Sequence, residues 1–167
     1  MRYTPLVLVT LGLTGVAQAA SAGELIVHTV SLHSRSTHEH ERTTNYVDNT
    51  GAIVRTTVTT TQQRYNNVNP GVAWQFDSGV QLGAYYNSYR EPTMYVAYEH
   101  MFNEHWGVLA GVGTGYESVS RVRGGIAALA AAEYKHQLTT NTKFIFQFIP
   151  PVGAVGVAHA AFAYSFK

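Results

Sequence analysis

The sequence predicts an all-β chain: an eight-stranded antiparallel outer-membrane β-barrel with one long extracellular loop. Three observations carry this. Short runs rich in Val, Tyr, Phe and Thr alternate with turn residues, and no capped apolar stripe of helical period interrupts them. Short connections on one side alternate with mostly longer ones on the other, as at the two rims of a membrane barrel. The last run alternates Phe162, Tyr164 and Phe166 with Ala161, Ala163 and Ser165. Large rings on one face and small residues on the other suit a wall with lipid outside and little room inside.

The elements follow in order. Arg2, the apolar stretch 6–16 and the small-x-small site Ala17-Gln18-Ala19 predict a secretory signal peptide over residues 1–19. Eleven apolar residues are too few for a spanning helix, which needs about 20. Residues 20–167 then form the barrel domain. Strands are expected near 24–35, 71–76, 80–87, 93–102, 106–116, 125–136, 142–149 and 155–166. The Ala-rich stretch 125–136 also suits a short helix. Asp77-Ser78-Gly79, Asn103-Glu104-His105 and residues 138–141 are the short turns. The long connection, residues 36–70, holds turn chemistry at residues 45–51 followed by a β-branched run at 53–61. It predicts a hairpin that stands outside the membrane or folds over the barrel mouth. The most apolar later tract, 144–164, is broken by Pro150-Pro151 and carries Gln147 and His159. Any membrane residence must therefore use a closed barrel, which satisfies its own backbone hydrogen bonds.

Composition narrows the function. The chain has 167 residues, a formal charge of +1 and only 13% charged residues. With 12% aromatics it is not a disordered chain. It also lacks the basic face of an electrostatic nucleic-acid binder. Without cysteine it has neither disulfides nor Cys-ligated zinc. No cofactor is expected. His33, His38 and His40 form an H-x4-H-x-H spacing beside Glu39 and Glu41, read here as a solvated stretch rather than a metal site.

Several strands look apolar on both faces. Residues 106–116 place Val108, Ala110 and Val112 opposite Leu109, Gly111 and Gly113, and 125–132 carries only Gly, Ile, Ala and Leu. Val155, Val157, Ala161 and Ala163 oppose the terminal aromatics, with His159 the one polar interruption. Small apolar residues on an inner wall predict either a packed core or a slot that a hydrocarbon chain would enter.

The order of motifs resembles a lipid A palmitoyltransferase of the PagP type, an eight-stranded outer-membrane barrel with an internal acyl-chain pocket. Leu32-His33-Ser34 is similar to that family's strand-end histidine. Arg64-Tyr65-Asn66, followed by Pro70-Gly71, is similar to its Arg-Tyr-Asn segment before a Gly-rich strand. Tyr85-Tyr86-Asn87-Ser88 resembles its Asp-Ser pair, and Leu109-Ala110-Gly111-Val112 its Ala-Gly-Val strand core. The ending is similar too, although Lys167 follows the last aromatic. The chain departs from the family in having Asn87 for the acid, a longer first loop and no Pro in 124–132.

The resemblance implies acyl transfer from a membrane phospholipid to lipopolysaccharide, by a monomer in the outer membrane of a Gram-negative bacterium. Such chemistry needs a hydroxyl, a base and oxyanion donors. Ser88 offers the hydroxyl, His33 the base and Asn87 an amide that orients the base or holds an oxyanion. An amide cannot carry an acid's charge, and Asn87-Ser88 also reads as plain turn entry. Arg64, Tyr65, Tyr86 and Arg90 are the substrate-binding candidates. Arg90, with Arg121 and Arg123, lies in a predicted outer loop, where a guanidinium suits lipid phosphate or merely solubility. Two other readings stand beside it. One is a non-catalytic barrel for surface binding or exclusion through its long loop; the other is a lipid esterase or deacylase. Ion pairs across the lumen would leave no place for an acyl donor and would favour the first of these.

Overall fold

The structure, a computed structural model, describes residues 23–116, 125–150 and 155–166. The proposed signal peptide, Arg121 and Arg123 lie outside the described residues. Ten strands follow one another: β1 (Gly23–His33), β2 (Thr37–Val47), β3 (Ile53–Arg64), β4 (Val68–Phe76), β5 (Val80–Tyr86), β6 (Pro92–Met101), β7 (Trp106–Gly113), β8 (Ala127–Gln137), β9 (Thr142–Ile149) and β10 (Val157–Phe166). Eight of them close an antiparallel barrel in the order β1-β10-β9-β8-β7-β6-β5-β4. The other two, β2 and β3, form a separate two-stranded sheet. The Ala-rich stretch is strand β8, because Ala128, Ala130 and Ala132 must pair with Val112, Ala110 and Val108 of β7. Strand β1 ends at His33 rather than at residue 35. The backbone beyond it turns away into the hairpin.

Turn chemistry sets the registers. At Asp77-Ser78-Gly79 the Gly79 amide donates to Phe76 O at 2.9 Å. Gly79 has φ +86°, and a Cβ there would meet Glu99 O at 2.6 Å. The three short turns lie at the rim where β1 begins and β10 ends. The hairpin, the β5–β6 connection and the strand ends Gly113, Ala127, Ile149 and Val157 lie at the other rim.

The wall sorts its side chains by pleat. Outward positions include Val27, Leu32, Val72, Leu82, Val96, Val112, Phe146, Phe148 and Phe162, all with large exposed apolar surface. No outward position on the eight barrel strands carries an Asp, Glu, Lys or Arg. Aromatic pairs band the short-turn rim: Trp74 with Phe166 at 5.6 Å, Trp106 with Tyr134 at 4.9 Å, and Tyr164 with Phe166 at 5.0 Å. An apolar, charge-free belt with an aromatic girdle is the exterior of a membrane-spanning barrel. No helix among the described residues is long and apolar enough to cross a membrane, so crossing falls to the strands.

Of the two interiors the sequence leaves open, the structure shows the packed one in its middle layer. A middle layer is apolar as expected, with Ile26, Ala73, Ala97, Leu109, Ala131, Ile145, Ala161 and Ala163 around Tyr95. Small residues there do not leave a slot, however. Gly83 and Ala73 lie against the Tyr95 ring, and a Cβ on Gly83 would sit 2.5 Å from it. Below this layer, toward the short-turn rim, charges cross the lumen. The Lys135 ammonium lies 2.6 Å from Glu99, 3.5 Å from Glu133 and 3.9 Å from Glu24. Lys143 pairs with Glu24, Gln75 donates to Glu99, and Gln147 donates to Glu133 at 2.6 Å. The lumen opens at the short-turn rim as a cavity of ≈ 830 Å³ whose lining includes Glu24, Glu99, Lys135 and Lys143. This polar vestibule cannot hold a fatty chain without stranding charge. Above the middle layer His28, His159, Tyr85 and Tyr116 fill the space.

Lys135→Met leaves Glu99 and Glu133 buried without their cation. It should cost about 3–5 kcal/mol of barrel stability. The check is the urea midpoint of the protein in vesicles, read by heat-modifiable gel migration. Adding Glu99→Gln and Glu133→Gln to Lys135→Met should recover much of that loss.

Candidate functional site

Among the described residues, the polar residues that the sequence singles out gather mostly at the long-loop rim. A bulge in β1 starts the arrangement. Pairing of β1 with both β10 and β4 shifts register between His28 and Val30, and Thr29 Oγ1 donates to Ala160 O at 2.7 Å. Before the bulge Glu24, Ile26 and His28 face the lumen; after it Ser31 and His33 do. Unbroken alternation through Thr29 would point Leu32 inward and His33 into lipid.

Ser31 then donates to Asn69 Oδ1, and its Oγ lies 3.4 Å from Ser88 Oγ. Asn69 donates to Tyr86 O at 3.0 Å. One step higher, His33 Nδ1 meets Asn67 Oδ1 at 3.0 Å. An amide oxygen only accepts, so the ring donates from Nδ1 and its Nε2 keeps a free lone pair. The imidazole lies flat on Tyr65, with centroids 4.3 Å apart and planes 1° off parallel. Asn66 N donates to Ser88 O at 2.8 Å, which ties the Tyr65 segment to the β5–β6 turn. His33, Tyr65, Asn87 and Ser88 are thus brought to one rim, but His33 and Ser88 share no hydrogen bond. Asn67, which orients the histidine, was missed. Its signal was a run of three Asn in 66–69, which read as loop.

Asn87 has a different task from the one expected of an oxyanion donor. It is fully buried. Its amide donates to Thr93 Oγ1 at 3.0 Å and to Gly115 O, and its oxygen accepts from Tyr89 N and Glu91 N at 2.9 and 3.0 Å. Both ends of the side chain are taken, so it staples the β5–β6 turn. Arg90 closes that turn at φ +66° with its side chain exposed. Arg64 is exposed at the hairpin root, paired with Thr37, and Tyr86 faces outward. Tyr86 meets the cluster only through its backbone carbonyl, and neither arginine reaches it.

The hairpin is rooted in rings. His38 of β2 packs 4.9 Å from Tyr65 and 4.7 Å from Tyr89, and its Nε2 is buried without a hydrogen-bond partner. Tyr89 meets Tyr116 at 6.0 Å, and the Tyr116 and Tyr85 hydroxyls lie 2.6 Å apart. Burial pushes the Tyr89 and Tyr116 phenols up, so both remain neutral donors. Tyr85 then packs on His28, which bonds Tyr95 at 2.9 Å and His159 at 3.0 Å. A column of rings therefore runs from the hairpin root to the middle of the barrel. Beyond this root β2 and β3 pair only with each other, from Thr37–Arg64 to Val47–Ile53. At the tip Asp48 Oδ1 accepts from Thr50 N, Thr50 Oγ1 and Ala52 N at 2.8, 2.7 and 3.0 Å. Those bonds hold its carboxyl below the ordinary Asp value.

No protein-family model matches this chain, and no curated protein matches it. Among solved structures, a chain described as "De novo design of transmembrane beta-barrels" is similar at TM-score 0.48 and 10% identity, covering 86% of this chain and 95% of its own.

Two outcomes follow. Asn87→Asp, which would restore an acid, removes the donors that bind Thr93 and Gly115 and buries a charge against Gly115 O. It should lower stability by about 1–3 kcal/mol or more, as measured by the same urea midpoint. At the hairpin tip the folded Asp48 value lies below the unfolded one. Its contribution is therefore complete above about pH 4 and fades as pH falls through the folded value. Amide protection at Thr50 and Ala52 should drop over that acidic window, and Asp48→Asn should remove the dependence.

Proposed function

We propose that this protein is a non-catalytic barrel of the Gram-negative outer membrane that binds at the cell surface through its β2–β3 hairpin. The observation that carries this reading is a long hairpin with two unpaired edges, rooted on a barrel whose middle and long-loop end are packed with side chains. Strands of 11 and 12 residues reach roughly 35–40 Å at about 3.3 Å per residue. Thr56, Thr57, Thr59, Thr60 and Thr61 make β3 β-branched and polar, which suits an exposed strand. Its free edges offer backbone donors and acceptors to an extended segment of another protein. The middle of the barrel below is packed around Tyr95 and its short-turn cavity is lined by ion pairs, which suits a barrel that holds this element at the surface.

A second reading, acyl transfer from a phospholipid to lipid A, has one observation in its favour. Asn67 orients His33 with a free Nε2 at the rim that also carries Ser88. Catalytic hydrogen bonds often tighten only when substrate is bound. This reading requires a donor held somewhere other than the lumen.

Deleting residues 39–62 should abolish surface binding to partner cells or proteins, whereas His33→Ala and Ser88→Ala should leave it intact. Mass spectrometry of lipid A separates the two readings. An added acyl chain that disappears in both alanine variants would overturn the non-catalytic assignment.

A further inference from the structure

The lipid-facing wall is not uniform. Where β1, β10 and β9 adjoin near the long-loop rim, the outward row runs Leu32, Ala158, Phe148, in register across the three strands. Leu32 and Phe148 stand out from the wall, 68% and 47% exposed, and Ala158 between them is short. The result is a groove of ≈ 330 Å³, lined by Leu32, His33, Ser34, Phe148, Gly156 and Ala158. Its body is apolar, and its polar groups collect at the rim end. There Ser34 N donates to Gly156 O at 2.9 Å, and Gly156 N donates to Ser34 Oγ at 3.0 Å. Ser34 Oγ therefore accepts from the wall and keeps its own hydrogen for an outside acceptor. Arg35 follows, exposed, one residue on.

The geometry points to a docking site for one acyl chain of a membrane phospholipid, with its phosphate at Ser34 and Arg35. Position selects the occupant. The groove lies within the apolar belt, so hydrocarbon is what surrounds it. Its head end presents a hydroxyl and a guanidinium, which suit a phosphate oxygen. That set serves a single phosphate, whereas a multiply phosphorylated saccharide needs a wider basic rim. The chain gains contact with Leu32 and Phe148 on two sides, where a smooth wall offers contact on one. The site rests on the membrane-spanning barrel and is independent of the hairpin's role. It is reached from the bilayer and not from the lumen.

The experiment uses the full-length mature barrel in vesicles of phosphatidylethanolamine and phosphatidylglycerol, doped with a phosphatidylethanolamine carrying a mid-chain diazirine. After illumination, label is mapped by peptide mass spectrometry. Leu32 and Phe148 should carry at least threefold more label than Val96 and Val112, which face lipid elsewhere on the wall. Ala158→Trp fills the groove and should bring the excess to the level of Val96, and Ala158→Leu should reduce it partway. Heat-modifiable migration verifies that each variant has folded. The alanine variant at Arg35 should lower the excess for this anionic-phosphate lipid but not for a diazirine fatty alcohol. Equal labelling along the belt, or an excess that survives in folded Ala158→Trp, would overturn the site. Loss of the excess on adding purified lipopolysaccharide would overturn its assignment to phospholipid. The variant lacking 39–62 should label like the parent, so failure of the surface-binding reading leaves this result standing.

Discussion

A single buried cation organises the lower half of the barrel. Lys135 comes from β8, Glu99 from β6, Glu24 from β1 and Lys143 from β9, and they meet in one network. Glu24 and Lys143 are 119 residues apart in the chain. The network can form only if the sheet closes with the correct stagger. Side chains alternate with period two, so slipping β8 by one residue would turn Lys135 toward lipid. The slip would also leave Glu99 buried without its cation, which costs about 3–5 kcal/mol. The charges therefore add specificity to registers that Ala-rich β8 leaves weakly defined.

The same logic of pleat and register governs the rim. One extra residue near Thr29 exchanges the faces of everything after it in β1. Ser31 and His33 come to face the Asn-rich segment 66–69, and Leu32 turns to the membrane. Two features thus share one cause: a histidine oriented by Asn67 on the inside, and the outer groove beside Leu32 on the outside. Bulges are common where a strand must re-aim a side chain near a rim. The column of rings below His38 joins this rim to the middle of the barrel without a break, so the hairpin root belongs to the packed interior.

Much of the wall was legible in the residues. Turn chemistry at Gly79, Asn103 and Thr139 bounds strands whose ends agree with expectation to within a few residues. The terminal alternation of Phe162, Tyr164 and Phe166 reads directly as an outer face. The hairpin was visible in its Asn- and Gly-containing tip and its β-branched second strand. The interior was not legible, for a physical reason. Strands β7 and β10 show small apolar residues inside, but a lumen belongs to eight strands at once. Tyr95, which fills the space over Gly83, sits in β6, and the acids come from strand ends that read singly as ordinary polar termini. The bulge escaped for a related reason. His28 and His33 differ by five residues, so simple alternation puts them on opposite faces, and nothing local marks Thr29 as the residue without a partner. Asn87 was placed at the right turn, but its hydrogen bonds to Thr93, Gly115, Tyr89 and Glu91 depend on the neighbouring strands.

A packed middle layer changes where this molecule can act. An internal acyl slot would require removal of Tyr95 from the cleft over Gly83 and Ala73, and of the hydrogen bonds that His28 makes to Tyr95 and His159. Each removal leaves a buried donor or acceptor unsatisfied, at about 1–3 kcal/mol apiece, and opens apolar volume at further cost. The interior is therefore committed to holding the wall together. What remains available to an acyl chain is the outside: a wall in lipid with a notch beside a polar rim, below a hairpin with free strand edges. Both lie at the end of the barrel that the β1 bulge and the Asn-rich segment shape. A residue such as His33 sits between them, oriented by Asn67 from within and lining the outer notch with its backbone neighbours. Any lipid chemistry at this rim would have to bring its acyl chain along the outer wall, because the inner route is closed by Tyr95 and the ion pairs beneath it.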